Sequence, residues 1–186
     1  MAVSDFINGA VREFAFRNYP VAMAAACIAL DASAKKETPT LNVGDRCRKF
    51  IDSYLDIITV VGTGGGTCAM PGAKLCPPDP RNPGTYTPIQ DVIYESIRCC
   101  LIHEAELATH VCFTDDAFLG VRHTQLEISS RMIISMLLAV AASSVNAGIQ
   151  VDESCAIILD SRKIPFNQLF GNRNAVTNWL GIPTTP

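Results

Sequence analysis

A chain of 186 residues is long enough for a continuous hydrophobic core and short for two, so one domain over residues 1–186 is expected. Apolar residues make up 48% and charged residues 18%, which excludes a disordered chain and leaves apolar surface over for an oligomer interface. A formal charge of -3 excludes a general electrostatic attraction to nucleic acid or anionic lipid; such a contact needs a local basic patch.

Ser4 reads as the cap of a first amphipathic helix running to about Asn18, with Phe6, Ile7, Ala10, Val11 and Phe14 at helical spacing. Pro20 fits the first turn of a second helix that continues through Val21 to about Lys36. It is apolar nearly all round until Asp31 and is expected to be central. A turn at Lys36-Glu-Thr-Pro-Thr40 leads to a third helix, Asn42 to about Thr59. Its apolar side holds Cys47, Phe50, Ile51, Tyr54, Leu55 and Ile58. Lys35, Lys36, Arg46, Arg48 and Lys49 lie close together in sequence across that turn. They are the best candidates for a basic, RNA-contacting patch, and a solvated face is the plainer reading.

Residues 61–88 are rich in Gly and Pro and read as a long loop within the domain. Gly62-Thr-Gly-Gly-Gly-Thr67 lacks the Gly-Lys-Ser/Thr ending of a phosphate-binding loop and reads as a linker. A fourth helix is expected from about Pro88 to Ala108, with Ile89, Val92, Ile93, Ser96, Ile97, Cys100, Leu101 and Glu104 in register. His110 to Leu126 reads as a short hairpin turning at Thr114-Asp-Asp-Ala117, and a fifth helix as Glu127 to about Asn146. The apolar run from Met132 to Ile149 is interrupted by Ser135, Ser143, Ser144 and Asn146. A buried helix, with no membrane span, is the expectation. In a C-terminal elaboration over 150–186, Ala156–Leu159 is a strand, Asp160-Ser-Arg-Lys163 its turn, and Ile164-Pro-Phe166 the return. A short helix from Asn167 to about Leu180 closes the chain with Trp179.

Of eight cysteines, Cys27, Cys99, Cys100, Cys112 and Cys155 sit in apolar segments, where a thiol behaves as a small hydrophobe. The first residues lack the uninterrupted apolar core of a signal peptide, and a reducing, cytoplasmic setting is expected. Cys68 and Cys76 flank the Gly/Pro loop and stand open between two exposed thiols and a pair. There is no Cys-x2-4-Cys pair, and His103 and His110 are seven apart, so neither a metal nor a cofactor is expected.

The motif with chemical content is Arg98-Cys-Cys-Leu-Ile-His103. On a straight α-helix, residues five apart are turned by about 140° and separated by about 7.5 Å, so these two do not share a face. Bringing both to one phosphate calls for the length of the Arg side chain or a groove between two copies, which favours a symmetric dimer. An imidazole that moves a proton and a guanidinium that holds developing phosphorane charge suit metal-independent RNA cleavage. Glu95 and Cys99 fall on the stripe of His103, and Glu95 or Glu104 could orient the imidazole or pair with Arg98.

The run Tyr94-Glu-Ser-Ile-Arg-Cys-Cys-Leu-Ile-His-Glu104, in an otherwise helical chain, resembles the Arg-x4-6-His helix of the HEPN family. The resemblance implies a mainly α fold, an HEPN-like helical bundle over about Ala2 to Asn146 with the tail as an elaboration, and frequent dimerisation. Many toxin, abortive-infection and CRISPR-associated members are RNases, and their catalytic Arg and His correspond to Arg98 and His103. Cys99 departs from the family, in which the residue after the Arg is usually polar, often Asn; many members bind without cutting. The expected function is a cytoplasmic, homodimeric endoribonuclease or RNA-binding protein of a prokaryotic defence or toxin–antitoxin system, with RNA as substrate and a protein partner or antitoxin. The alternative is a non-catalytic helical interaction module that dimerises and docks a protein partner.

Overall fold

Uncharged from Pro20 to Leu30, the second helix, α2 (Tyr19–Glu37), has almost no face that prefers water. Ala22, Met23, Ala26, Cys27, Ala29, Leu30, Ser33 and Ala34 are buried along it, and it packs against α1 (Val3–Ala15), α3 (Val43–Ser53) and α6 (Arg131–Ala142). The structure is a computed structural model that describes residues 2–64, 74–75, 87–104, 107, 111–122, 125–159 and 161–183, apart from the side chains of 74, 75 and 104. It is mainly helical with three small sheets among the described residues. One apolar cluster runs from Val3 to Val176. Cys68, Cys76, Ala108, His110, Asp160 and most of the 61–88 segment lie outside the described residues.

The helix boundaries shift for local reasons. α1 starts before Ser4: Ala2 is its N-cap, and the Asp5 carboxylate accepts from the Ala2 amide at 2.8 Å, closing the first turn. It stops at Ala15 rather than Asn18, because Arg17 turns left-handed with φ 59°. Tyr19 and Pro20 then open α2 as the first-turn proline implies. The expected third helix is two. It breaks at Tyr54 (φ -117°, ψ 20°) into α3, capped by the Asn42 side chain accepting from the Asp45 amide at 3.0 Å, and α4 (Leu55–Gly62). The reason is a change of pattern: α3 keeps a polar face, whereas Ile57, Ile58, Thr59 and Val61 bury α4 nearly all round against α6. Tyr54 holds the bend, its ring 4.7 Å from that of Phe50 and its hydroxyl donating to Glu37 at 2.8 Å.

A single α-turn, α5 (Ile89–Asp91), leads into a π-helix from Val92 to Glu104, where an α-helix was expected. Its apolar residues explain the widening. Ile89, Ile93, Ile97 and Leu101 are all buried and recur every fourth residue. In an α-helix that repeat drifts around the axis by about 40° per step. A helix closed by i→i+5 hydrogen bonds has more residues per turn and keeps the stripe on the core.

The expected hairpin over 110–126 is also rearranged. β3 (Val111–Thr114) runs parallel to β5 (Gln125–Ser129), and the hairpin joins β4 (Leu119–Arg122) to β5, with the order β3-β5-β4. The residues Glu127 to Ser129, expected in the fifth helix, belong to β5, where Leu126 and Ile128 alternate into the core. α6 follows, buried from Met132 to Ala142 except at Ile134, and a 3-10 turn at Ser144–Asn146 ends it. Asn146 is fully buried and satisfied: its amide donates to Ser33 Oγ and to the Val140 carbonyl, each at 2.8 Å, fastening α6 to α2. β1 (Lys74–Leu75) pairs with β2 (Thr87–Pro88). β6 (Ala156–Leu159) pairs with β7 (Arg162–Pro165) as the tail pattern implies, and α7 (Arg173–Leu180) begins later than expected, after a 3-10 turn at Phe166–Gln168.

Gly171 seats this tail on α6: its amide donates to the Ala141 carbonyl at 2.8 Å, and its φ is 73°. A Cβ there would stand 2.5 Å from Ala147 Cβ and 2.7 Å from Ala147 Cα. Gly171→Ala therefore meets both a left-handed backbone and a backbone clash, and urea melts should show a loss of about 1–3 kcal/mol. An unchanged midpoint would mean that the tail does not dock here.

Candidate functional site

The π-helix overturns the facing argument drawn from α-helical geometry. With i→i+5 bonding each turn holds more residues than in an α-helix, so residues five apart are turned much less from one another, and Arg98 and His103 are five apart. Arg98 Nη1 lies 3.2 Å from His103 Nε2 within one chain. The pair therefore meets without a second copy, and the spacing no longer calls for a dimer. Arg98 is 8% exposed and His103 is exposed, so the guanidinium lies beneath an imidazole that faces solvent.

Asp31, where the apolar run of α2 ends, holds the guanidinium from below: Arg98 Nη2 donates to Asp31 Oδ2 at 2.6 Å. The other Asp31 oxygen accepts from the Cys47 thiol at 2.8 Å and lies 3.7 Å from Arg46 Nη2. The Tyr94 ring lies close to two cations, with Arg48 Cζ 4.3 Å and Arg98 Cζ 5.6 Å from its centroid. The Nε atoms of Arg46 and Arg98 are buried without a partner among the described residues.

The remaining candidates separate. Glu95 pairs with Arg48 Nη2 at 2.7 Å rather than with Arg98, and Arg48 Nε binds Asp91 at 2.5 Å. Glu104 closes the π-helix, and its side chain lies outside the described residues. Of the basic cluster, Arg46 and Arg48 border the site but are engaged by Asp31, Asp91 and Glu95, which neutralises much of the expected patch. Lys36 reaches Asn146 Oδ1 at 3.3 Å, and Lys35 and Lys49 are exposed. Asp31, Cys47 and Tyr94 were missed as site residues. The signal for Asp31 was its position as the first charge after thirteen uncharged residues, at a depth where a carboxylate needs a buried cation.

Burial sets the protonation of the surrounding groups. It pushes the Cys27 thiol up to about 12, with Arg98 opposing, and pushes Cys47 up, helped by its bond to Asp31. It also raises Tyr54 to about 12. Arg98 is held as a cation by Asp31, which outweighs its burial. Among the described residues there is no cluster able to hold a metal ion.

Two outcomes are expected. Asp31→Asn leaves a buried guanidinium with a weaker acceptor and should cost about 1–3 kcal/mol. Asp31→Leu combined with Arg98→Met should cost clearly less than the sum of the single changes, read by a double-mutant cycle; strict additivity would refute the pair. The thiol and phenol give the second. In the unfolded chain Cys27 ionises near 9 and Tyr54 near 10, whereas the fold keeps both neutral to about 12. Their contribution is full below about pH 9 and is lost as pH climbs toward 12, so the melting temperature should fall over that window. Cys27→Ser should flatten that fall; an unchanged slope would exclude the thiol as its source.

No curated protein and no solved structure matches the chain. The match is to one family, described as Rv1289, and because it covers residues 2–185, the chain belongs to the Rv1289 family.

Proposed function

We propose that the chain is an HEPN-like, metal-independent endoribonuclease or RNA-binding protein in which His103 moves the proton and Arg98 supplies the charge behind it. The observation that supports this reading is the 3.2 Å contact between Arg98 Nη1 and His103 Nε2, covered on the Arg side and open on the His side. A guanidinium has only donors, so Nε2 accepts and the ring proton sits on Nδ1. When an RNA phosphate arrives, Nη1 turns from the imidazole to a phosphate oxygen while Asp31 keeps Nη2 in place. That move frees the Nε2 lone pair to take the proton of the 2′-OH. The 2′ oxygen then bonds to phosphorus, the bond from phosphorus to the 5′ oxygen breaks, and the departing oxygen takes a proton from water while His103 returns its own to solvent, leaving a 2′,3′-cyclic phosphate and a 5′-OH.

The reading includes a cytoplasmic homodimer of a prokaryotic defence or toxin–antitoxin system, with RNA as substrate and an antitoxin as partner. No helix among the described residues is long and apolar enough to cross a membrane. The competing reading, a non-catalytic module that docks a protein partner, is favoured by the pairing of Arg46, Arg48 and Arg98 with carboxylates, which leaves little free cation for a polyanion.

The test is incubation of a mixed single-stranded RNA pool with wild type, His103→Ala and Arg98→Lys in the presence of a chelator. We expect products ending in 2′,3′-cyclic phosphate, lost with His103→Ala and at least tenfold slower with Arg98→Lys, which keeps the charge but not the fork of donors. Cleavage by folded His103→Ala at the wild-type rate would exclude this site, and RNA binding without cleavage by wild type would leave only the binding form.

A further inference from the structure

A cavity of about 500 Å³ opens on the side of the fold built from α1, α4, α6 and β6. Its walls are Val11 and Phe14 of α1, Val61 of α4, Ile134 of α6, and Ile157 and Leu159 of β6. Val11, Phe14, Ile134 and Leu159 are only half-buried, so apolar surface is left facing open space. Ile158 stands at the rim 70% exposed. The volume is that of a small-molecule site rather than of a packing defect.

One end of the cavity is polar, and its charges do not balance. Tyr19 Oη donates to Asp115 Oδ1 at 2.8 Å, and Arg17 Nη1 lies 3.6 Å from Asp115 Oδ2, so this carboxylate is engaged at both oxygens. Arg131, the first residue of α6, lines the same end and forms no ion pair with an acidic side chain among the described residues. Its guanidinium lies beside Gly64: a Cβ built there would be 3.7 Å from Nη1. Ser130 Oγ reaches Asp115 only at 3.5 Å, the limit of a hydrogen bond, and is able to re-aim.

We infer that this cavity binds a small amphiphile with a single carboxylate head and an apolar body, the head taken by Arg131 and Ser130 and the body by the aliphatic wall. A guanidinium accepts a carboxylate through two parallel N–H bonds, which a lone hydroxyl or an ammonium head cannot accept. The side chains of Val11, Phe14, Val61, Ile134 and Ile157 give the hydrocarbon body an apolar wall, which supplies the affinity. The site is separate from Arg98 and His103 and does not depend on the RNA reading.

The test titrates the full chain by calorimetry with decanoate, decanol and decylamine, each below its micelle concentration. Decanoate should bind one to one and saturably, and should raise the melting temperature. Arg131→Gln should weaken decanoate by roughly tenfold or more and leave decanol unchanged. Ala15→Trp, at an exposed position on the cavity wall, should abolish binding while the circular dichroism spectrum stays that of wild type. Equal binding of decanol or decylamine, an Arg131→Gln protein with wild-type affinity, or unsaturable uptake at many sites would each overturn the assignment.

Discussion

An arginine that is 8% exposed has to find an anion inside the protein, and the ion pair of Arg98 with Asp31 at 2.6 Å is the answer here. The pair joins α2, the most buried helix, to the π-helix, and it fixes which way the latter is turned. Once Ile89, Ile93, Ile97 and Leu101 face the core and Arg98 faces Asp31, the i→i+5 path leaves His103 above the guanidinium and in solvent. Breaking either partner would leave a charge in a place with little water, which is why the arrangement tolerates only correlated change.

The same pair orders the neighbouring thiols and aromatic ring. Asp31 accepts from Cys47, and Arg98 lies near the Tyr94 ring, which also carries Arg48. Arg48 in turn reaches Asp91 and Glu95 at the start of the π-helix. Three arginines thus face three carboxylates across the seam of α2, α3 and the π-helix. Such a network holds one geometry because each long side chain is caught at its charged end, and it presents less free positive charge than its arginine content suggests.

The helical fold, the central place of α2 and the C-terminal ribbon were readable because each depends on a local pattern: an apolar helix, a first-turn proline, two short apolar runs about a turn. The break at Tyr54 was not, since the apolar positions of α3 and α4 follow one helical register and only tertiary burial separates them. Nor was the partnership of β3 with β5, which skips the nearest strand. The π-helix left a signal that was misread: a four-residue repeat, Ile89 to Leu101, treated as an approximation to 3.6. Taken as a true period of four it implies a wider helix, and a wider helix puts Arg98 and His103 together. Arg98 and His103 stood out by their spacing, while the anion that holds Arg98, Asp31, is 67 residues away in sequence, and nothing local marked the two as neighbours.

The candidate site and the apolar cavity both rest on α2, at different points along it. Tyr19 at its first residue carries the polar end of the cavity, and Asp31 near its last turns carries Arg98. Twelve residues at about 1.5 Å each set these points about 18 Å apart. The helix between them is packed on nearly every side, so neither end can turn without moving its neighbours. At that distance, with no shared polar partner, the free energies of the two sites add rather than couple unless the whole helix shifts. A carboxylate ligand would then stabilise the fold by mass action alone, and the geometry of Arg98 and His103 would stay as Asp31 sets it.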